Sequence, residues 1–205
     1  MSRDTILEFA RQRGEGFILS AASLKDLGSP FVIMRTLIRL EKTEEIAEIC
    51  RGRYVVLIQG SYGPYPPEVH TVLPFIEHET GHPILVPGIC AANLLDLTTQ
   101  IPMRQCYITA GPSMELHFGK HVVEIRHVDE WLVQMPNTAA GNAIRAVDFL
   151  GEHFAEDGLR KLRGKMSDAD WSTMAMAPGL PEWFHAALEA SGRSPDIEET
   201  PDECE

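Results

Sequence analysis

Hydrophobic residues recur at intervals of three and four positions along the first stretch of the chain, and this spacing predicts a helix. Ile6, Phe9 and Ala10 form one apolar stripe, which would face a core. Asp4 is a good capping residue for this helix, and Gly14 is well placed to end it. The run GFIL then predicts a short strand, and AASLKDL predicts a second short helix.

A third helix is predicted to begin at Ser29, because a hydroxyl cap followed by proline at the first helical position is a favourable start. Ile33, Leu37 and Leu40 share one face of it. The runs IAEI and VVLI, separated by CRGRY, then predict a β-hairpin with Gly52 near its tip. Helix, strand, helix, helix and hairpin is the order of a winged helix-turn-helix domain, which lays its third helix in the DNA major groove.

Cationic and hydroxyl side chains of this region are candidates for DNA contact. Arg35 and Arg39 lie one helical turn apart, so both guanidiniums can point the same way, with Thr36 beside them. Ser29 would cap the helix, whose first amides would face phosphate. The predicted DNA-binding residues are Ser29, Arg35, Thr36, Arg39, Lys42, Arg51 and Arg53. The alternative is that these charges are ordinary solvated side chains.

The remainder of the chain alternates between turn-rich segments, strands and helices. GSYGPYPPE indicates a linker, and a helix follows from about Pro67 that Pro74 should kink or shorten. ICAANLLDL predicts a helix, PILV and QCYIT predict strands, and MELHF and HVVEIRHV alternate as half-buried antiparallel strands do. From Thr138 the pattern is helical, with Ser167 as a cap and with Trp171, Trp183 and Phe184 predicted in the core.

These elements together predict an α+β fold. The predicted parts are an N-terminal winged helix-turn-helix domain (residues 1–59), a linker (60–67), a mixed α/β domain with an antiparallel sheet and a helical C-terminal end (68–190), and an acidic disordered tail (191–205).

The segment HETGH, residues 78–82, matches the H-E-x-x-H pattern of zinc proteases, in which a helix presents two histidines on one face. Gly81 is suited to end a helix, and Pro83 disfavours helical geometry at His82. His78 and His82 should therefore not converge, and the sequence predicts no catalytic residue, metal or cofactor. His117, His121 and His127 alternate along predicted strands and are a weaker metal candidate.

Charge is distributed unevenly, which matters for a predicted DNA-binding protein. The net charge is −12, but residues 1–57 carry nine basic and eight acidic residues, and the last ten residues carry six acids and no base. The first segment can therefore approach a polyanion.

The charged N-terminus lacks the apolar stretch of a signal peptide, no apolar run is long enough to span a membrane, and the four cysteines form no C-x-x-C pair. We therefore expect a cytoplasmic protein with reduced thiols.

The run AANLLDLTTQIPMRQCYITAGPS, followed by MELHFGKHVVEIRHV, resembles the central part of the AbiEi family of abortive-infection antitoxins. GSPFVIMRTLIRLEK and CRGRY are similar to that family's winged-helix segment, and the likeness covers roughly residues 5–190. The resemblance implies a winged helix that binds operator DNA upstream of its own operon and represses it. It also implies a C-terminal antitoxin domain and a cognate toxin of the nucleotidyltransferase class, with direct contact between the two proteins not assumed and a homodimer on DNA left open.

Three acids depart from the pattern expected of a wing. Glu44, Glu45 and Glu48 lie on or before its first strand, where acids oppose the counterion release that drives DNA binding. They favour an alternative, in which the protein does not bind DNA and acts as an antitoxin through protein interactions of its acidic C-terminal domain.

Overall fold

The computed structural model describes residues 3–192, in which helices alternate with short strands, and this confirms the predicted α+β class. The elements are α1 (Arg3–Arg11), a 3-10 turn (Lys25–Leu27), α2 (Pro30–Lys42), β1 (Ile46–Cys50), β2 (Arg53–Val56), β3 (Ile58–Gly60), β4 (Gly63–Tyr65), α3 (Val69–Thr80), α4 (Gly88–Leu94), β5 (Cys106–Thr109), β6 (Met114–Phe118), β7 (His121–His127), α5 (Glu130–Val133), α6 (Ala139–Leu150), α7 (Glu152–Arg163), α8 (Asp168–Ala175) and α9 (Glu182–Ser191).

The described residues form two compact units. The first contains residues up to 87 and residues 102–133, and the second contains residues 88–101 and those from 134 onward. The boundaries of these compact units differ from the boundaries at 59 and 68 that were predicted for the functional domains. The functional domains themselves remain a prediction. Of the predicted tail, only Ser191 and Gly192 lie within the described residues, and the rest lies outside them.

The first unit contains two main clusters of buried side chains. One lies among α1, α2 and the β1–β2 hairpin, and its members are Ile6, Leu7, Ala10, Leu19, Leu24, Ile33, Leu37, Leu40, Ile46 and Tyr54. The other joins Ile18, Ile49 and Val55 to apolar residues of α3, β6 and β7. Because the second cluster draws on both sides of the predicted linker, these segments share one core. β3, which ends at the first residue of the predicted linker, pairs with β4, which lies within the linker, as a short antiparallel hairpin.

The segment between α1 and α2 is less regular than the spacing predicts. The predicted strand is reduced to one bridge, in which Leu19 pairs with Tyr54 of β2. The predicted second helix is reduced to turns and the 3-10 turn. The Ser20 hydroxyl accepts a hydrogen bond from the Ser23 amide at 3.1 Å, and the Ser23 hydroxyl accepts one from the Ser20 amide at 2.9 Å. Such local bonds offer the backbone an alternative to the helical ladder.

The β1–β2 hairpin and the end of α3 agree with the prediction. β1 and β2 pair antiparallel, and Gly52 between them has a positive φ of 74°. α3 continues through Pro74 and ends at Gly81, which has the left-handed conformation with φ 74° and ψ 11°. His82 therefore lies beyond the helix, and His78 and His82 do not share a helical face.

The three-stranded sheet of the first unit corrects one prediction. β6 and β7 form the expected antiparallel hairpin, but β5 lies beside β7 and runs parallel to it. The turn at 110–113 reverses the chain once and the turn at 119–120 reverses it again. A strand separated from β5 by two reversals must run in the same direction, so the sheet is mixed and not antiparallel.

The second unit is helical within its described residues. Thr138 and Ser167 cap α6 and α8, accepting hydrogen bonds from the amides of Gly141 and Asp170. Gly151, with φ 76°, separates α6 from α7 within the stretch that the sequence pattern predicts to be helical. Phe184 is fully buried, whereas the two predicted core tryptophans, Trp171 and Trp183, are half-buried. No helix among the described residues combines the length and the apolar character needed to cross a bilayer.

Candidate nucleic-acid interface

Helix α2 is anchored by its inner face. Ile33, Leu37 and Leu40 are fully buried, as the spacing predicts, and this fixes the opposite face toward solvent. The Ser29 carbonyl accepts a hydrogen bond from the Ile33 amide at 3.0 Å. The Ser29 side chain is exposed but forms no capping hydrogen bond, which differs from the expected hydroxyl cap. Pro30 at the first helical position therefore provides the start signal of α2.

The outer face of α2 carries three cations. Arg35, Arg39 and Lys42 are all exposed. Successive residues turn by about 100° around a helix, so Arg35 and Lys42 lie nearly in line and Arg39 lies close beside them. Among the side chains of residues 3–192, none of these cations forms an ion pair. The structure therefore brings together three of the predicted DNA-binding residues as a free cationic face.

Thr36 lies at the edge of this face. It is half-buried, and its hydroxyl donates a hydrogen bond to the Val32 carbonyl at 2.8 Å. The proton of this hydroxyl is thus already used within the helix, and only the oxygen lone pairs remain for a ligand. Thr36 flanks Arg35 and Arg39 but does not share their exposure.

The tip of the β1–β2 hairpin separates its two arginines. Arg51 is exposed and, within the described residues, has no ion-pair partner. The Arg53 Nε atom donates a hydrogen bond to Glu79 Oε2 at 2.8 Å, and its side chain is only 30% exposed. This bond to Glu79 raises the pKa of Arg53 above its ordinary value. Arg53 therefore holds the hairpin against α3, whereas Arg51 is the cation presented at the tip.

Glu79 is an important residue that the sequence pattern does not reveal. Its Oε1 atom accepts a hydrogen bond from the Ser20 hydroxyl at 3.1 Å, while Oε2 accepts the one from Arg53. Ser20 is 5% exposed, so this acceptor lies in a largely desolvated position. Cys50 is close by, with its Sγ atom 3.9 Å from Arg53 Nη1, and burial raises the pKa of its thiol. A neutral thiol and a paired guanidinium leave little free charge at this junction.

Two of the three acids near the hairpin are occupied by local partners. Glu45 Oε2 lies 3.1 Å from Arg3 Nε, and its other oxygen accepts the Thr43 hydroxyl. Glu48 Oε1 accepts a hydrogen bond from the Gly52 amide at 2.7 Å, at the hairpin tip. Glu44 is exposed. Glu45 is thus paired with a cation, and Glu48 accepts a hydrogen bond from the backbone of the hairpin tip. Both carboxylates are engaged within the protein.

Apolar side chains also lie on the outer face of α2. Phe31 is 76% exposed and Ile38 is 42% exposed. They are seven residues apart, with Arg35 between them, and both lie opposite the buried stripe of Ile33 and Leu37. Neither residue is among the predicted DNA-binding residues, although their positions on the helical wheel already place them outside the apolar stripe.

The histidines are dispersed or bonded to other groups. His121 Nε2 is 2.9 Å from Gln105 Oε1, His127 Nδ1 is 3.0 Å from the Gly111 carbonyl oxygen, and His117 is exposed. Within residues 3–192 no cluster of three or more His, Cys, Asp or Glu side chains is arranged to hold a metal ion.

The comparison with known proteins gives a family without an assigned activity. A family model described as a family of unknown function, DUF6088, matches residues 5–166. No curated protein matches the chain. The match covers α1 to α7, including α2, the β1–β2 hairpin and the three-stranded sheet, and extends over well more than half of the sequence. The chain therefore belongs to the DUF6088 family.

Proposed function

We propose that this protein is a DNA-binding repressor that uses α1, α2 and the β1–β2 hairpin as a winged helix-turn-helix. The observation that carries the proposal is the free cationic face of α2, Arg35, Arg39 and Lys42, with Arg51 at the hairpin tip. In this arrangement α2 enters the major groove and Arg51 contacts the flanking backbone. The bridge between Leu19 and Tyr54 supports it, because it joins the segment between α1 and α2 to the hairpin and so helps to hold the hairpin beside the two helices.

The biological role we propose is autorepression by an antitoxin. It rests on the resemblance of the central segment and hairpin to the AbiEi family, whose usual partner is a nucleotidyltransferase-type toxin encoded alongside. The DNA bound would be the operator upstream of the protein's own operon. Residues 68–190 would belong to the antitoxin activity, and the protein needs no cofactor for either role.

DNA binding is tested by fluorescence anisotropy on a labelled duplex from the upstream region and on a scrambled duplex, between about 50 and 200 mM salt. Four phosphate contacts per subunit give a slope of log K against log salt of about −3 to −4, and about twice that for a dimer. Preferential binding with such a slope is expected. Equal and negligible binding to both duplexes would contradict the proposal.

A pair of double variants separates specific contact from general charge. Arg35→Ala with Arg39→Ala should abolish the preference for the upstream duplex. Arg104→Ala with Arg126→Ala removes the same charge from exposed positions outside α2 and the hairpin, and should leave the preference unchanged. An equal loss in both double variants would mean that α2 does not read DNA.

The antitoxin role has its own test. The protein is co-expressed with the product of a neighbouring nucleotidyltransferase gene, and growth is followed. We expect rescue of growth by the wild type and also by the variant that lacks Arg35 and Arg39, because repression and toxin opposition would use different parts of the chain. Failure of the wild type to rescue would refute the antitoxin role and leave the repressor proposal intact.

The rival function is a protein-interaction antitoxin that does not bind DNA. Three exposed apolar side chains on or next to helices of the second unit favour it: Leu94, Phe154 and Met176 are 68%, 59% and 77% exposed. Rescue of growth without any preferential DNA binding would support this rival.

A further inference from the structure

Phe31 and Ile38 are exposed on the helix face that also carries the free cations. An exposed apolar side chain is ordinary when it stands alone. Here the two apolar residues alternate with Arg35 and Lys42 at positions 31, 35, 38 and 42, all facing outward and within one helix. The face therefore carries cations and apolar groups side by side, and a partner complementary to it would offer both anions and apolar groups.

The DNA major groove has this combination. Phosphates line its edges, and the C5-methyl of thymine is the apolar group that it presents on the base edges. An apolar protein partner would have to desolvate three unpaired cations, which is costly without acidic groups to receive them. The charge of the face thus favours DNA as the occupant over a second apolar surface.

We propose that Phe31 and Ile38 read thymine methyl groups, which makes them specificity-determining residues of the proposed repressor; this inference rests on the proposed function. Phe31 lies in the first turn of α2, and the first turns of a recognition helix usually reach the base edges. Seven residues of helix rise by about 10 Å, which corresponds to about three base pairs of DNA. The site bound by one subunit should therefore contain two thymines about three base pairs apart.

The first step of the test identifies the preferred site. A pool of random duplexes is selected for binding to the full-length wild-type protein, and the enriched motif is resynthesised with every thymine in turn replaced by uracil, which lacks only the methyl group. A methyl-sized apolar contact is worth about 0.8 kcal/mol, which is about a fourfold change in affinity. We expect two uracil positions, about three base pairs apart, to weaken binding by that factor each.

The second step assigns each methyl to a side chain. Phe31→Ala should lose the discrimination between thymine and uracil at one position, and Ile38→Ala should lose it at the other. The matched control is Phe154→Ala, which removes an exposed helical phenylalanine of the second unit and should keep the full discrimination. Thermal unfolding of all three variants checks that the fold is retained, and light scattering gives their molar masses.

The outcomes separate this inference from the function beneath it. Specific, salt-dependent binding that is insensitive to uracil, or a selected motif without thymine, overturns the inference and leaves the repressor standing. A change in molar mass of Phe31→Ala or Ile38→Ala alone assigns the face to contacts between copies of this chain, and also overturns it. If the wild type binds no duplex specifically and the selection enriches no motif, both the proposed function and this inference are refuted.

Discussion

The contact between Arg53 and Glu79 joins the hairpin to α3, and its removal should destabilise the first unit measurably. Glu79→Ala leaves the Arg53 guanidinium, 30% exposed, and the nearly buried Ser20 hydroxyl without their acceptor. Hydrogen bonds that involve a charged group contribute about 1.5–3 kcal/mol. Partial exposure of the Arg53–Glu79 pair lowers this contribution, whereas the additional hydrogen bond from Ser20 to Glu79 raises the total. We therefore expect Glu79→Ala to lower the free energy of unfolding by about 2–3 kcal/mol.

The assay is urea unfolding followed by the fluorescence of the tryptophans, of which Trp131 lies in the first unit. For a chain of this size the expected loss lowers the melting temperature by about 4–12 °C. A double-mutant cycle with Arg53→Met and Glu79→Ala isolates the pairwise energy. The matched control is the cycle of Arg126→Met with Glu124→Ala, an Arg–Glu pair at 3.2 Å whose side chains are more than half exposed.

An exposed pair should contribute less than about 0.5 kcal/mol, and the Arg53–Glu79 cycle should exceed it by at least about 1 kcal/mol. If the two cycles give the same coupling energy, or if Glu79→Ala unfolds within about 0.5 kcal/mol of the wild type, the assignment of Arg53 to the hairpin anchor is wrong. The sequence-based interpretation, in which Arg53 contacts the DNA backbone, would then regain its support.

Three further predictions concern single positions. Arg51→Ala should reduce the magnitude of the salt slope of DNA binding by about 0.9, whereas Arg53→Met should leave the slope unchanged and lower stability; equal slopes for both would contradict this. Ser167→Ala should lower the free energy of unfolding by about 0.5–2 kcal/mol, because the Ser167 hydroxyl caps α8. Ser29→Ala should lower it by only about a few tenths of a kcal/mol, because the Ser29 hydroxyl forms no capping bond. The midpoints of urea unfolding compare the two variants. Gly16→Ala should cost at least about 2 kcal/mol, because φ is +84° and the added methyl would lie 2.5 Å from the Thr71 carbonyl oxygen; an unchanged melting temperature would refute it.

Local signals predicted the elements that depend on local chemistry. The proline start of α2, the stripe of Ile33, Leu37 and Leu40, and the glycine end of α3 are each decided within a few residues, and the structure agrees with them. The second predicted helix is not formed, although its conformation is also decided by neighbouring residues. Reciprocal bonds between Ser20 and Ser23 compete with helix formation there, and helical spacing does not report that competition.

Features that depend on distant residues could not be predicted in this way. Arg53 and Glu79 are 26 residues apart, and Ser20 and Glu79 are 59 apart, so no short pattern links them. The parallel pairing of β5 with β7 likewise depends on the path of the intervening turns. The exposure of Arg35, Arg39 and Lys42 could therefore be predicted, because it follows from helical geometry. The partner of Arg53 could not be predicted, because it comes from another part of the chain.

The division of the chain into two units constrains how this protein could be rearranged, in evolution or by engineering. The chain leaves the first unit after residue 87, returns to it at residue 102, and leaves it again after residue 133. A recombination event that exchanged an N-terminal cassette ending near residue 60 would cut through the apolar cluster that Ile18, Ile49 and Val55 share with α3. Under the proposed function, a new DNA specificity would therefore be acquired more readily by substitution on the outer face of α2 than by grafting a foreign β1–β2 hairpin.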